Sequence, residues 1–490
     1  MDTPNENLQI GNRLFQKGMK CNLHFWHLIN DPQKIVHRQD MIGYRHSSQT
    51  KEIIRMAREL YPNGEEVSHQ LSTDAATKLT NEILLNQTTI YNSCFTFSSF
   101  ISRSDILIRN EDSSLDIVDI SSNTNPKHEN YIDLAFQKFV IESTGFKVRN
   151  ITILYINSNI SHTFPIQPDF FFKISNATDK ISYLEKEISD KTNYLVSTSK
   201  TKPLLNEKSC KSPKECKISP HCWNLTEDMN IFTLRESNET SKRLFNNKIY
   251  YLRDIPDDTE LNKVQKIQVE CDRKGTVYIE AKEISDFLQK LKYPYYFLDF
   301  EAINPAIPLY PSTRAFQHIP FLFSLHIQNE NGSIKNFHFI EEEGEDPRFG
   351  ILKSLSSLII TQGSIICYND TIEKKCIKES ASVFPDFLNW WNGIKNNFVD
   401  LSLPFKNFSY YNPLQSGSTS LKSVITPLTG INYSNLNIHD GSIANREYLH
   451  LKLDQNISEK KRITVKDDLI EYCKMDTFAM VEIIKKLKDL

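Results

Sequence analysis

The chain has 490 residues, of which 39% are hydrophobic and 24% are charged. This composition is ordinary for a globular protein and argues against wholesale disorder, and the length predicts two or three domains of about 150 residues each. The net charge of −3 points to no particular partner by itself, since the charge of a binding surface and the total charge of a chain often differ in sign.

The sequence predicts no membrane span, because no stretch approaches about 18 consecutive apolar residues. The first residues, MDTPNENLQIGNRLF, lack the basic start and apolar run of a secretory signal. We therefore expect a cytoplasmic protein. In that compartment the nine cysteines are expected to be thiols or metal ligands rather than disulfides.

The first part of the chain predicts an α/β module. Residues 10–60 space apolar side chains at three and four, as helices do, and Pro62-Asn63-Gly64 then predicts a turn. Runs of β-branched and aromatic residues predict strands at TIYNSCFTFSSFISRSDILI, SLDIVDIS and ITILYIN. Because IDLAFQKFVIESTGF predicts a helix before the last run, residues 88–157 are predicted to form strand, strand, helix and strand.

A cysteine cluster follows in SCKSPKECKISPHCWN, where Cys210, Cys216 and Cys222 are evenly spaced. A tetrahedral metal site needs four ligands, and Cys21 is the candidate for the fourth. Binding these four would tie together both ends of the N-terminal module. Four unrelated thiols are the open alternative.

Short predicted helices occupy residues 236–290, and a second α/β pattern then begins. Its predicted strands are YYFLDFEAI, FLFSLHIQ and IKNFHFI. A helix at FGILKSLSSLI, a buried strand at GSIICYN and further helices come next. The pattern ends in a helix at DDLIEYCKMDTFAMVEIIKKL.

The sharpest local pattern is the pair of acids Asp299 and Glu301 in the first of these strands. Alternation along a strand places both on one face, while Leu298 and Phe300 point to the other. Two carboxylates side by side on so apolar a strand repel each other and lose hydration, which is costly without a cation. The alternative is a half-exposed strand whose acidic face meets water.

Two further motifs follow in chain order. Glu373 opens the helix after the buried strand, and Tyr472 and Asp476 lie four apart on one face of the last helix. Together with Asp299 and Glu301, this set resembles the D-x-E, N-x-x-F-[DE] and Y-x-x-x-D motifs of the DnaQ-like, or DEDD, 3′–5′ exonucleases.

That resemblance implies an RNase H-like fold of the tyrosine subclass. It implies that the four acids hold two Mg²⁺ or Mn²⁺ ions, about 3.5–4 Å apart, and that the Tyr472 hydroxyl orients the attacking water. One departure is Glu373, which stands where the motif usually has Asp, so Asp370 is the fallback ligand. Asn369 and Lys422 are candidate contacts to the substrate strand, although each is equally explained as an ordinary polar side chain on the surface.

The chain is similar over nearly its whole length to a bacterial family of uncharacterised proteins that join a RecB-like PD-(D/E)XK module to this exonuclease fold. Asp105 and Asp119 match the metal-binding positions of that module, but Ser121 replaces its lysine, which supports the water nucleophile. The resemblance therefore favours an inactive nucleic-acid-binding module, although Lys127 is a possible substitute for the lysine. For the four cysteines it implies a [4Fe-4S] cluster, with Zn²⁺ as the alternative.

We therefore expect an α/β protein in three parts. Residues 1–235 form the PD-(D/E)XK-like module, residues 236–290 a helical connector, and residues 291–490 the RNase H-like mixed-sheet exonuclease domain. The expected function is metal-dependent 3′–5′ hydrolysis of DNA or RNA. The alternative is a catalytically decayed nucleic-acid-binding or scaffold protein, while an endonuclease that uses the N-terminal site is disfavoured by Ser121.

Overall fold

The computed structural model describes residues 8–34, 41–204, 222, 230–341, 344–454 and 456–490. Helices and mixed sheets alternate along these residues, so the predicted α/β fold class is confirmed. The chain forms two units, Met1–Asn224 with Ala306–Phe316, and Leu225–Pro305 with Gln317–Leu490. The helices within residues 236–290 belong to the second unit.

The first unit contains both helices and strands. Its described helices are α1 Asn12–Lys20, α2 Asn22–Asn30, α3 Met41–Leu60, α4 Thr73–Asn86, α5 His128–Ser143, α6 Pro168–Phe171, α7 Thr178–Ile181 and α8 Glu185–Thr198. Its described strands are β1 Ile10–Gly11, β2 Glu65–Glu66, β3 Thr89–Phe97, β4 Phe100–Arg109, β5 Leu115–Ser121, β6 Val148–Ile156 and β7 Phe172–Asn176.

The strands β2 to β7 lie side by side in sequence order, and β1 pairs with β4. β4 is antiparallel to β3 and β5, whereas β5 and β6 are parallel. A parallel pair needs a crossover connection, which α5 provides. Phe136 of α5 packs with Ile117 of β5 on one face of the sheet, and Met56 of α3 packs with Leu154 of β6 in a second cluster. The strand, helix and strand predicted around α5 are confirmed.

The prediction of a single first strand is wrong, because β3 and β4 form a hairpin. Ser98 and Ser99 make the turn, and Phe97 lies opposite Phe100. Ser98 has a φ of 54°, in the left-handed region that two-residue hairpin turns require. Two serines are a weak turn signal between two apolar, β-branched runs, since neither glycine nor asparagine marks the position.

The second unit contains the predicted connector helices and the C-terminal α/β pattern. Its described helices are α9 Asn238–Asn246, α10 Lys263–Lys274, α11 Ala281–Leu288, α12 Pro347–Leu358, α13 Thr371–Val383, α14 Leu388–Ile394, α15 Leu403–Lys406, α16 Leu421–Thr429, α17 Gly441–Leu453 and α18 Glu459–Lys488. Its described strands are β8 Tyr278–Ile279, β9 Tyr295–Ile303, β10 Ile319–Gln328, β11 Ile334–Ile340, β12 Ser364–Cys367, β13 Phe398–Asp400 and β14 Tyr410–Tyr411.

The main sheet of this unit has the order β11-β10-β9-β12-β13. β9, β10 and β11 are antiparallel neighbours, whereas β12 is parallel to both β9 and β13. β9 is therefore a central strand. On one face Leu298 and Phe323 form a core with Leu355 of α12 and Ile377 of α13.

The opposite face of the sheet carries α18. Thr477 of this helix shares hydrogen bonds of 2.8 Å with Ser324 and His326 of β10. Among the described residues, no helix is both long enough and apolar enough to cross a membrane.

Candidate metal centre

Three acids meet on the face of β9 that carries α18. Asp299 and Glu301 lie on this face, as alternation along the strand predicts, while Leu298 and Phe300 enter the core of the other face. Asp476 of α18 completes the group, and one carboxylate oxygen from each acid lies within 4.8 Å of the others. The arrangement offers only hard oxygen donors, which suit Mg²⁺ or Mn²⁺.

The electrostatics of the three acids are unfavourable without a cation. Burial, followed by the charge of Asp476, raises the pKa of Asp299 and of Glu301 well above its ordinary value. Burial also raises the pKa of Asp476, to about 6, although the hydrogen bond from Tyr433 opposes that rise. A bound cation would favour the ionised forms, so the donor set fits a divalent metal.

Glu373 lies in the first turn of α13, where the sequence places the second motif. It is buried, and burial raises its pKa to about 8. Its Oε2 has no hydrogen-bond partner among the described residues, so this oxygen remains available to a cation. The charge of Glu373 also raises the pKa of Asp299 and of Glu301, but its oxygens are not part of the 4.8 Å group.

Asp370, the fallback for Glu373, has a different partner. Its carboxylate forms an ion pair of 2.5 Å with Lys374, one turn further along the chain. Of the two acids, Glu373 is therefore the one with an unpaired buried oxygen.

Tyr472 and Lys422 flank the acids. Tyr472 is buried on α18, and its hydroxyl accepts a hydrogen bond of 3.0 Å from the Nζ atom of Lys422. Burial, followed by the charge of Asp476, raises the pKa of Tyr472 above that of a free phenol. The charge of Lys422 opposes the rise that burial causes in the pKa of Glu301 and of Asp476. The structure thus places both residues beside the acids.

Asn369 lies at the rim, between β12 and α13. Its side chain is exposed, and its φ of 69° is unusual for a residue other than glycine. Its backbone N–H donates to Asp400 at 2.9 Å, which fixes the turn. The neighbouring Tyr368 hydroxyl donates to the backbone oxygen of Thr419 at 2.8 Å, so this turn contacts the loop that precedes α16.

The loop before α16 has a fixed backbone. Gly417 has a φ of 73°, and a Cβ atom there would lie 2.2 Å from the backbone oxygen of Thr233, so only glycine fits. Ser420 then caps α16 by accepting a hydrogen bond from the backbone N–H of Ser423. Lys422 follows in the first turn and reaches the acids from this side.

Two residues of the site escaped the sequence interpretation. The hydroxyl of Tyr433 donates a hydrogen bond of 2.6 Å to Oδ1 of Asp476, and the thiol of Cys473 lies 3.6 Å from Oδ2 of Asp299. Cys473 is fully buried. Its position three residues before Asp476, on the same helix face, is the signal that could have revealed its contact. Tyr433 lies in an irregular segment with no such pattern.

The first unit gathers acids of its own. Asp105 of β4 and Asp119 of β5 interact, as the N-terminal resemblance implies, and Asp133 of α5 joins them. Burial raises the pKa of Asp105 to about 6, against a hydrogen bond from the backbone N–H of Ile120, and raises the pKa of Asp119 well above its ordinary value. Ser121, where the N-terminal resemblance leads one to expect a lysine, is buried.

Asp133 was missed by the sequence interpretation. Its carboxylate accepts hydrogen bonds from the side-chain amides of Asn12 (3.2 Å), Gln16 (2.9 Å) and Gln137 (2.7 Å). Lys127, the possible substitute for the lysine, is exposed at the beginning of α5. The amides on α1 and α5 therefore hold this acid in place.

The predicted four-cysteine site is described only in part. Cys21 is half-buried at the N-cap of α2, where its sulfur accepts a hydrogen bond of 3.4 Å from the backbone N–H of His24. Cys222 is also half-buried. Cys210 and Cys216 lie outside the described residues, so the geometry of the predicted site stays a prediction.

Residues 296–420 match a protein family described as a domain of unknown function (DUF2779). No curated protein matches the chain. The matched segment contains Asp299, Glu301 and Glu373 and ends before Tyr472 and Asp476. The chain is therefore similar to this family over β9 to the loop before α16, which includes one part of the metal centre.

Proposed function

We propose that the protein hydrolyses phosphodiester bonds of nucleic acid with two divalent cations, Mg²⁺ or Mn²⁺, at the Asp299, Glu301 and Asp476 centre. The observation that carries the proposal is the approach of these three acids to within 4.8 Å on one face of the sheet, where Glu301 and Asp476 are buried and Asp299 is half-buried. So close a group of carboxylates is costly to ionise without a cation, and oxygen ligands of this kind suit a two-metal phosphodiesterase.

The acids and Tyr472 have different roles in the proposed reaction. Asp299, Glu301 and Asp476 hold the cations, and the unpaired Oε2 of Glu373 is available as a further oxygen ligand. When bound, two such cations activate water on one side of the phosphate and stabilise the leaving oxygen on the other. A phenol titrates near about 10, so Tyr472 keeps its proton at neutral pH; it orients the water by hydrogen bonding and does not act as a base.

Lys422 supplies positive charge next to the cations. Its ammonium lies 3.0 Å from the Tyr472 hydroxyl, where it can contact a non-bridging oxygen of the scissile phosphate. Asn369 is exposed in the turn after β12 and can donate to the next sugar or phosphate of the strand. Both roles follow from the proposed reaction.

The polarity of cleavage, 3′ to 5′, rests on the resemblance to the DnaQ-like exonucleases. The mixed sheet order β11-β10-β9-β12-β13, with Asp299 on the central strand, supports the RNase H-like assignment. The N-terminal unit would bind or guide the strand without cutting it, because Ser121 leaves the acids Asp105 and Asp119 without their lysine.

The alternative is a nucleic-acid-binding or scaffold protein whose active sites have decayed. Loss of function would remove selection on the acids and scatter them, whereas the C-terminal acids and Tyr472 are all present at one site. Direct assay separates the two functions. The purified full-length protein is incubated with end-labelled single- and double-stranded DNA and RNA, with Mg²⁺, Mn²⁺ or EDTA.

Shortening of the labelled strands with Mn²⁺ or Mg²⁺, and its loss with EDTA, is the expected result. Label at the 5′ end gives a ladder and label at the 3′ end gives mononucleotide if cleavage starts at the 3′ end. Binding without hydrolysis under every metal condition would establish the decayed alternative instead.

A further inference from the structure

Tyr433 contacts Asp476, Tyr472 and Lys422, and the proposed reaction gives a role to each of these three but none to Tyr433. It is 7% exposed, and its hydroxyl is committed to Asp476 by the hydrogen bond of 2.6 Å. Its ring packs edge to face with that of Tyr472, with centroids 6.3 Å apart and planes at 62°. The same residue therefore contacts an acid of the candidate metal centre and Tyr472, the tyrosine proposed to orient the water.

Lys422 lies against both rings. Its Nζ atom is 4.9 Å from the centroid of Tyr433 and 4.7 Å from that of Tyr472, distances at which aromatic faces attract a cation. A long lysine side chain has many rotamers in water. Two ring faces, the Tyr472 hydroxyl and the backbone oxygen of His439, to which the ammonium also donates, restrict it to the side of the acids.

The segment that carries Tyr433 is fixed before any ligand binds. Gly430 ends α16 in the left-handed region, at a φ of 80°. Thr426 then donates to the backbone oxygen of Ile431 at 2.9 Å, and the backbone N–H of Ile431 donates to Thr429 at 3.1 Å. The backbone before Tyr433 and the contacts of its side chain at the site therefore both fix its position.

We propose that Tyr433 is a positioning residue with two separable actions: its hydroxyl orients Asp476 toward the cations, and its ring holds the Lys422 ammonium toward the scissile phosphate. This inference rests on the proposed function and deepens it. The hydroxyl acts on metal affinity, since a donor to a metal-binding carboxylate fixes its orientation. The ring acts on affinity for the substrate strand, through the charge of Lys422.

The two actions are tested with Tyr433→Phe, which keeps the ring, and Tyr433→Leu, which loses both groups. Mn²⁺ binding to the full-length protein is measured by calorimetry without substrate, and KM and kcat are measured with a labelled oligonucleotide. Tyr433→Phe should weaken Mn²⁺ binding about 10-fold and leave KM within about 2-fold. Tyr433→Leu should show the same loss of Mn²⁺ affinity and a KM about 5-fold higher.

Tyr296→Phe is the matched control, because Tyr296 is a buried tyrosine of the same unit in the core on the other sheet face. It should change neither quantity. If Tyr433→Leu does not fold, Lys422→Met replaces it, and this variant should raise KM by the same amount in the wild-type and Tyr433→Phe backgrounds.

Wild-type Mn²⁺ affinity in Tyr433→Phe would overturn the first action, and equal KM values for the Phe and Leu variants would overturn the second. If Tyr433 were purely structural, its variants would lower Tm. The Phe and Leu variants would then not differ in KM while sharing the same loss of Mn²⁺ affinity. A wild-type protein that binds Mn²⁺ but cleaves no nucleic acid would instead refute the proposed function, and the calorimetry would still decide the action of the hydroxyl.

Discussion

The thiol of Cys473 lies 3.6 Å from Oδ2 of Asp299, although 174 positions separate the two residues in the sequence. Burial, followed by the charge of Asp299, raises the pKa of Cys473, so the sulfur stays protonated and donates to the carboxylate. One turn along α18, Thr477 bonds to Ser324 at 2.8 Å. These buried contacts fix the register of α18 on the sheet, and Asp476, between them, is thereby brought to Asp299.

Removal of one acid should abolish hydrolysis without unfolding the protein. Asp299→Ala or Asp476→Ala takes a ligand from the proposed metal centre, and we expect the rate to fall about 1,000-fold or more. In the absence of metal the remaining acids repel one another less, so Tm should rise by about 2–4 °C. Initial rates with Mn²⁺ and thermal melts with EDTA measure the two effects.

Asp286→Ala is the matched control for these variants, since Asp286 is exposed on α11 of the same unit. It should leave both the rate and Tm unchanged. Near-normal hydrolysis by both Asp299→Ala and Asp476→Ala would refute the proposed metal centre.

Tyr472→Phe should slow the chemical step far more than it weakens binding. The variant loses the hydroxyl that we propose orients water and that accepts a hydrogen bond from Lys422. We expect a single-turnover rate about 100-fold lower, with Mn²⁺ and oligonucleotide affinities within about 3-fold of wild type. A rate equal to that of the wild-type protein would mean that Tyr472 serves only the packing of α18.

The sequence predicted the acids because each lies in a local pattern and the patterns follow one another in chain order. Alternation in β9 placed Asp299 and Glu301 on one face, and the four-residue spacing placed Tyr472 and Asp476 together. Tyr433 could not be predicted, since its position depends on a left-handed turn and on irregular backbone after α16. Tertiary packing, rather than a local period, brings it to the site.

Features of the first unit that depend on tertiary packing were likewise not predicted from the sequence. The strands around α5 follow from apolar runs, but the hairpin at Ser98 has only two short polar side chains as its signal. The position of Asp133 beside the other acids could not be predicted either. Its partners on α1 are remote in sequence, and a single acid on a helix is common. Local sequence patterns do not predict contacts between segments that are distant in the chain.

The stability of the metal-free protein should fall as pH rises, and Glu373 should contribute to that fall. Its pKa is raised from 4.5 to about 8. Between these values the folded state holds a proton that the unfolded state has lost, so a higher pH lowers the free energy of unfolding. Divalent metal should reverse the effect, because it binds the ionised acid.

Melts from about pH 5 to about pH 8 with EDTA test this dependence. Over that range the wild-type protein should lose about 4 °C more than Glu373→Gln, which cannot titrate at this position. The Mn²⁺-induced rise in Tm should be larger at the higher pH for the wild-type protein. Parallel pH profiles for wild type and variant would show that Glu373 keeps an ordinary pKa.

The fourth prediction concerns the sulfur ligands, and it rests on the spacing of Cys210, Cys216 and Cys222 and on the resemblance that adds Cys21. Protein purified without oxygen should be brown, with broad absorbance near about 400 nm, and should contain iron and sulfide. One zinc ion per chain would establish the alternative.

A Ser variant at any of these four positions should lose the metal and increase proteolysis of the first unit, because the site would tie both ends of that unit together. Hydrolysis at the C-terminal centre should persist, since none of the four belongs to the second unit. Cys94→Ala is the matched control. Its thiol is fully buried in the core of the first unit, so this variant should retain the metal. Protein prepared without oxygen or chelator that contains neither iron nor zinc would show that the four cysteines are ordinary thiols and that packing alone joins the ends of the unit.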